Sequence, residues 1–308
     1  MNKIKLLSIH RKDLNNIGDM ASEPLQYFLK SSEYQSIDIT RLTASNLDPE
    51  VPIVVGGGGL IGNPFFEDCL IECTDSFDRL KLFNTAEKYW DCVKYTNKDV
   101  RDEFLQKINE LVYQYSEKLD NSKTPRFLWG AGHNKEMTKK TKEPLFYPRF
   151  LRKFAKVGIR DFNTQFTWAP CASCMHPALR KFYPIKNQII FYEHKKQLLK
   201  STDFSPRPVP RFVNSGNNIE QTIELLGSAS VILTNSYHGA YWGILLGKKV
   251  IIVEPWSSKF FNFKHQPFTL NKGEDFMNIL DSVPTYPNAL DECVAATQTF
   301  WKEILGSI

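Results

Sequence analysis

Short apolar runs rich in Val, Ile and Leu recur along the chain, and stretches with apolar residues three or four apart stand between them. Residues 3–10 read as a first strand, and a helix is expected to start over 23–29. Residues 36–42 and the segment VPIVVGGGGL at 51–60 read as the next two strands, the second running into four glycines. Residues 99–119 carry Val100, Phe104, Ile108, Leu111, Tyr115 and Leu119 at the spacing of an amphipathic helix. RFLWGAGHN at 126–134 and KVGIRD at 156–161 are two further strand-to-loop segments. After a Cys- and Pro-rich stretch the alternation resumes with a strand over 188–192, a helix over 219–226 and a strand over 230–234. A helix from Tyr237, a strand over 249–253 and a closing helix over 289–305 follow. The segment STDFSPRPVPRFVNSGNN reads as a loop, in the manner of a flap.

Strands that alternate with helices pair in parallel. The expected fold is therefore α/β, with two Rossmann-like domains whose parallel sheets face a cleft. The break in the pattern near 165–187 sets the domains at 1–180 and 181–288, with a C-terminal helix, 289–308, packing back on the first. A chain of 308 residues suits two domains.

Apolar residues make up 42% and charged residues 24% of the chain, the balance of a globular protein with a sizeable core. The start MNKIKLLSIHRKD has too short an apolar stretch for a signal peptide, and no window reaches the length of a membrane span. A cytoplasmic location is expected, with peripheral contact at the inner face of a membrane open through basic clusters at 139–142 and 149–156. The formal charge of +5 suits an anionic small molecule and falls short of a nucleic-acid footprint. Six cysteines form no secreted scaffold, which agrees with a reducing compartment. Cys171 and Cys174 lack a second pair at metal-site spacing, although Cys69 and Cys73 stand four apart, and they read as ordinary buried or loop cysteines.

In open parallel sheets the ligand sits beyond the carboxyl ends of the strands. Five glycine-bearing segments stand there: Asn16-Ile17-Gly18-Asp19, Gly56-Gly57-Gly58-Gly59, Gly130 to Asn134, Gly158 to Asp161, and Asn235 to Gly239. The four-glycine run could cradle an anion or make a tight packed turn; it matches neither a dinucleotide nor a Walker pattern. His238 is either a satisfied core histidine or a functional one; it falls in the first turn of its helix beside the capping candidates Asn235 and Ser236. There the helix dipole would depress its pKa and a bound anion would raise it, as general acid catalysis requires. Arg160 is either a guanidinium fork for phosphate or carboxylate or the partner of Asp161 across the loop. Lys259 is either a further anion ligand or a solvated lysine. Phe260, Phe261, Phe263, Tyr241 and Trp242 either stack on sugar rings or belong to the core.

The ordered set NNIGDMASEPLQYFL, VVGGGGLIG, WGAGHN, VGIRD and VILTNSYHGAYWGILLGKKVIIVEP resembles the polysaccharide pyruvyl transferase family, over most of the chain from Asn16 to about Lys259. The resemblance implies a GT-B-like fold, with the first domain on the acceptor side and the second on the donor side. It implies transfer of a pyruvyl group from phosphoenolpyruvate to two sugar hydroxyls as a ketal, in capsule or exopolysaccharide biosynthesis. Arg160 and His238 match the family's arginine–aspartate and histidine–glycine motifs and would bind or activate the donor. Asn16, Asp19, Gly57, Gly58, Gly59, Ser236, Gly239 and Lys259 complete the expected substrate-binding set, with no metal and no cofactor beyond the donor. Ser236 stands where many members have an arginine, and CASCMHP where many have an aspartate–proline pair. The acceptor would be a sugar or a lipid-linked oligosaccharide. A glycosyltransferase using a nucleotide sugar, with the strand end FYEHKK on its phosphates, is the alternative enzyme; a non-catalytic scaffold is the alternative of another class.

Overall fold

The computed structural model describes residues 6–12, 15–39, 51–62, 124–135, 149–199, 208–216, 218–270 and 273–308. The helix expected over 99–119, the basic cluster at 139–142, and Cys69 and Cys73 lie outside the described residues.

Among the described residues, the strands form two all-parallel sheets. The first contains β1 (Leu6–His10), β2 (Tyr34–Asp38), β3 (Ile53–Gly56), β4 (Arg126–Ala131), β5 (Lys156–Ile159) and β6 (Thr167–Trp168), in the order β2-β1-β3-β4-β5-β6. The second contains β7 (Asn187–His194), β8 (Arg211–Asn214), β9 (Ala229–Thr234), β10 (Lys249–Val253) and β11 (Phe268–Leu270), in the order β11-β10-β9-β7-β8. Counted from its own first strand, each sheet begins 2-1-3-4-5, an order that places a switch of direction beside its first strand. Both sheets are compatible with Rossmann-like folds.

Four α-helices are described: α1 (Ile17–Ala21), α2 (Ile219–Gly227), α3 (Tyr237–Leu245) and α4 (Ala289–Leu305). The helix expected over 23–29 is instead α1 followed by a 3₁₀ turn over Leu25–Tyr27. Pro24, which has no amide hydrogen to donate, stands between them. The segment read as a flap contains β8, an edge strand that pairs with β7 from Phe191↔Arg211 to His194↔Asn214. Strand β2 begins two residues earlier than its apolar pattern indicated, because Tyr34 and Gln35 pair with Leu6 and Leu7 whatever their side chains.

Helix α3 is buried along its whole length, as an apolar helix without a polar face must be. Gly239 and Gly243, one turn apart, let it lie close on the second sheet. A Cβ on Gly239 would come within 2.6 Å of Thr234 Oγ1 and Tyr192 Cδ1. One on Gly243 would meet Val250 Cγ2 at 2.8 Å. Helix α4 buries Phe300 and Ile304 against Leu6, Val54, Phe127 and Trp129 of the first sheet, while its start, Ala289 and Cys293, joins the core around α3. Ile17 and Ala21 of α1 belong to that same core. Apolar packing is thus continuous from one sheet to the other.

Candidate functional site

The carboxyl ends of eight strands converge on one cavity of about 280 Å³. From the first sheet, the exits of β1, β3, β4 and β5 supply Asn16 and Asp19, Gly58 and Gly59, Asn134, and Arg160. From the second, β7, β8, β9 and β10 supply His194 to Lys196, Asn214, Ser236 and His238, and Trp256 and Lys259. The switch points of both sheets, between β1 and β3 and between β7 and β9, therefore open on the same space.

The loops that carry these side chains are tied to one another. Asn214 Nδ2 donates to Asn16 Oδ1 at 3.3 Å, and Lys195 Nζ to the carbonyl of Asn15 at 3.1 Å. Ser257 Oγ meets Asn134 Oδ1 at 2.7 Å, and Ser258 Oγ meets His133 Nδ1 at 2.8 Å. The Phe162 amide donates to the carbonyl of Asn262 at 2.9 Å. Glu254, at φ 46°, takes a left-handed conformation rare outside glycine, and it turns the chain out of β10 toward Trp256.

His238 is 6% exposed. Its Nε2 lies 3.6 Å from Cys171 Sγ, and the Nδ1 edge presses on Gly18, where a Cβ would come within 1.9 Å of Nδ1. Its pKa is held well below 6.5, in the direction expected, chiefly by burial and then by Arg160 and Lys259. The expected caps do not form. Ser236 Oγ accepts from Asn214 Nδ2, and Asn235 Oδ1 accepts from the His194 amide at 2.7 Å. The start of α3 has no side-chain cap, and Ser236, Tyr237 and His238 of that start line the cavity.

Arg160 is 4% exposed and lies across Gly132, where a Cβ would stand 2.1 Å from Nε. Its Cζ is 3.8 Å from the centroid of the Tyr237 ring. Nε is buried without a hydrogen-bond partner, and no carboxylate pairs with this guanidinium among the described residues. The ion pair with Asp161 is not formed: Asp161 Oδ2 accepts from the His133 amide at 2.6 Å. Lys259 is also buried, at 7% exposed, because its ammonium sits 3.8 Å above the centroid of Trp256. Burial and Arg160 push its pKa down to about 7, with Asp19 pulling the other way.

Eight of the ten site residues expected from the sequence line the cavity: Arg160, His238, Asn16, Asp19, Gly58, Gly59, Ser236 and Lys259. Gly57 and Gly239 do not, for packing reasons. Gly57, at φ 78°, has its Cβ direction filled by the Ser22 carbonyl, 2.3 Å away. Gly239 faces the sheet. Of the aromatics, Tyr241, Trp242 and Phe260 belong to the core, and Phe263 stacks on Tyr237 at 4.8 Å. Arg11, Asn214 and Trp256 line the cavity unanticipated. Each directly follows or ends a strand, or stands three residues beyond one, which is the one signal that could have found them.

Cys171 and Cys174 are buried, with Cys174 Sγ 3.3 Å from Thr297 Oγ1. No cluster of three or more His, Cys, Asp or Glu side chains poised for a metal occurs among the described residues. No helix among the described residues is long and apolar enough to cross a membrane. The site as a whole is of a definite kind: a strand-end cavity whose two buried cations, Arg160 and Lys259, form no ion pair among the described residues. Compared with known proteins, the chain matches no family model and no curated sequence.

Proposed function

We propose that this chain is a pyruvyl transferase-like enzyme that moves the pyruvyl group of phosphoenolpyruvate onto two hydroxyls of a sugar, in surface-glycan biosynthesis. The observation that carries the reading is the pair Arg160 and Lys259, two buried cations that form no ion pair among the described residues, in one cavity with His238 and Asp19. An unpaired buried charge is costly, so such a pair is retained where a ligand supplies the opposite charge. Phosphoenolpyruvate brings a carboxylate and a phosphate. The two sheets would act as the two domains of a GT-B arrangement, with the donor on the second and the acceptor on the first.

In this reading Arg160 takes one anionic group bidentately, and Lys259 with the amides of α3 takes the other. The phosphate draws a proton onto His238, which is neutral in the empty site. His238 then protonates the methylene carbon, a sugar hydroxyl attacks the cationic carbon, and a second hydroxyl displaces phosphate to close the ketal. Loss of the two hydroxyl protons balances the reaction; Asp19 stands in the cavity to accept one of them. No metal enters these steps.

A second reading is favoured by His194, Lys195, Lys196 and Trp256, which extend the basic lining along the exits of β7 and β10. A nucleotide-sugar diphosphate would span that length, making the chain a glycosyltransferase. A ligand-stabilisation melt separates the two. A ligand at about a hundred times its dissociation constant adds roughly 2.7 kcal/mol. A shift with phosphoenolpyruvate that Arg160→Ala and His238→Ala both lose is the expected result. A shift with nucleotide sugars alone assigns the other donor, and silence from every ligand favours a non-catalytic scaffold.

A further inference from the structure

We propose that Lys259 is a nucleophilic amine that captures a small 2-oxo acid as an imine, with Arg160 holding the acid's carboxylate. The inference does not rest on pyruvyl transfer; it needs only the cavity and these two side chains. Two other lysines show the ordinary arrangement: Lys186 lies 3.0 Å from Glu224 and Lys264 lies 2.7 Å from Glu292. Lys259 has no ion pair or hydrogen bond to its amine among the described residues, although it is 7% exposed. What touches it is the face of Trp256, with Phe260 5.2 Å away on the other contact. Both Lys259 and Arg160 line the same cavity, and Arg160 likewise forms no ion pair among the described residues, its buried Nε having no hydrogen-bond partner.

The charges facing the amine come from several elements. Arg160 enters from the exit of β5, Asp19 from α1, Arg11 from the exit of β1, and Lys195 and Lys196 from the exit of β7, beside a His194 held neutral by burial. Burial is the larger cause of the lowered pKa, and among the described lining residues cations outnumber the one carboxylate. The amine is therefore largely uncharged at slightly alkaline pH, its pKa being about 7 where a free lysine stands at 10.5. A lysine desolvated beside another cation is the arrangement that activates amines toward carbonyl groups.

The step is a condensation. The neutral nitrogen adds to the 2-oxo carbon and a carbon–nitrogen bond forms. A proton passes from nitrogen to the former carbonyl oxygen, and that oxygen leaves as water with a second proton. Nothing is oxidised or reduced. The carboxylate matches the guanidinium fork, which orients the carbonyl toward the amine. A phosphate ester in the cavity selects the other protonation state, because its charge keeps Lys259 an ammonium.

Pyruvate and sodium cyanoborohydride, incubated with the full chain near neutral pH, test this by peptide mass mapping. One reduced adduct on Lys259, formed faster than on exposed Lys186, is the expected result. It should disappear in Lys259→Met, slow by about tenfold or more in Arg160→Met, and persist unchanged in Lys186→Arg. Adducts scattered over surface lysines, with Lys259 no faster than Lys186, would overturn the proposal. So would equal labelling of Lys259 by acetone, which has no carboxylate. The mapping is done on the unaltered chain, so it does not depend on the variants folding. Protection by phosphoenolpyruvate tests the donor reading separately: its absence counts against that donor and leaves the imine result standing.

Discussion

Lys259 and Arg160 are each more costly to the folded state than an apolar residue of similar length. Desolvating a charge with no partner opposes folding, and here two like charges share one wall. Lys259→Met should therefore raise stability, by about 1 kcal/mol, while removing ligand-induced stabilisation; the denaturant midpoint with and without ligand measures both. The sign of the pH effect follows from the lowered pKa. Between about 7 and 10.5 the unfolded chain holds a proton on this lysine that the folded chain does not. This group's share of stability is thus fully present above that window and lost as pH falls through it, and the difference between Lys259→Met and the unaltered chain shrinks as pH rises. The sequence named Lys259 as a candidate only by its distance past β10. Nothing in the residues around it announced that Trp256 would roof it off from water.

Helix α3 sets the site because it is held at close range to the sheet. Gly239 and Gly243 look alike in the sequence, and both gain helix propensity on replacement by alanine. Their surroundings differ. At Gly239 the new Cβ would meet Thr234, whose Oγ1 donates to the Tyr192 carbonyl at 2.6 Å, and the rigid Tyr192 ring. At Gly243 it would meet Val250 Cγ2 at 2.8 Å and Ile232 Cδ1 at 2.9 Å, two buried β-branched side chains away from the cavity. Each replacement by alanine should cost roughly 1–3 kcal/mol, but only Gly239→Ala should displace His238 and weaken ligand binding. Thermal melts of the two variants, with ligand titrations, check the contrast. Strand β8 teaches the opposite lesson about legibility. Its prolines and polar residues read as loop, yet pairing with β7 makes a strand of Arg211–Asn214 and delivers Asn214 to the cavity.

Across the molecule, histidines held neutral by burial set the behaviour in acid. His10 is fully buried at the end of β1, its Nδ1 3.4 Å from Glu23 Oε1, and its pKa is lowered to about 4. His194 is lowered to about 4 and His238 is lowered well below 6.5. In each case the unfolded chain takes up a proton before the folded one. Their contribution is complete above pH 6.5 and is lost as the pH falls toward 4. His10 alone accounts for a loss on the order of 3 kcal/mol across that window. Urea midpoints should fall steeply over it, and His10→Phe should flatten the curve. The sequence by itself determined the class of fold, through its alternating periodicities, and most of the residues that line the shared cavity, because glycine and polar residues mark the strand ends that open on it. Helix α4 was legible to the residue, since a long amphipathic pattern has one stable reading. Which face each side chain met was decided only by tertiary structure. Burial, the spacing of charges and the convergence of eight strand ends arise from residues up to 248 positions apart, Arg11 and Lys259 among them. No local pattern encodes such distances; they exist once two sheets of the same strand order close on one cavity.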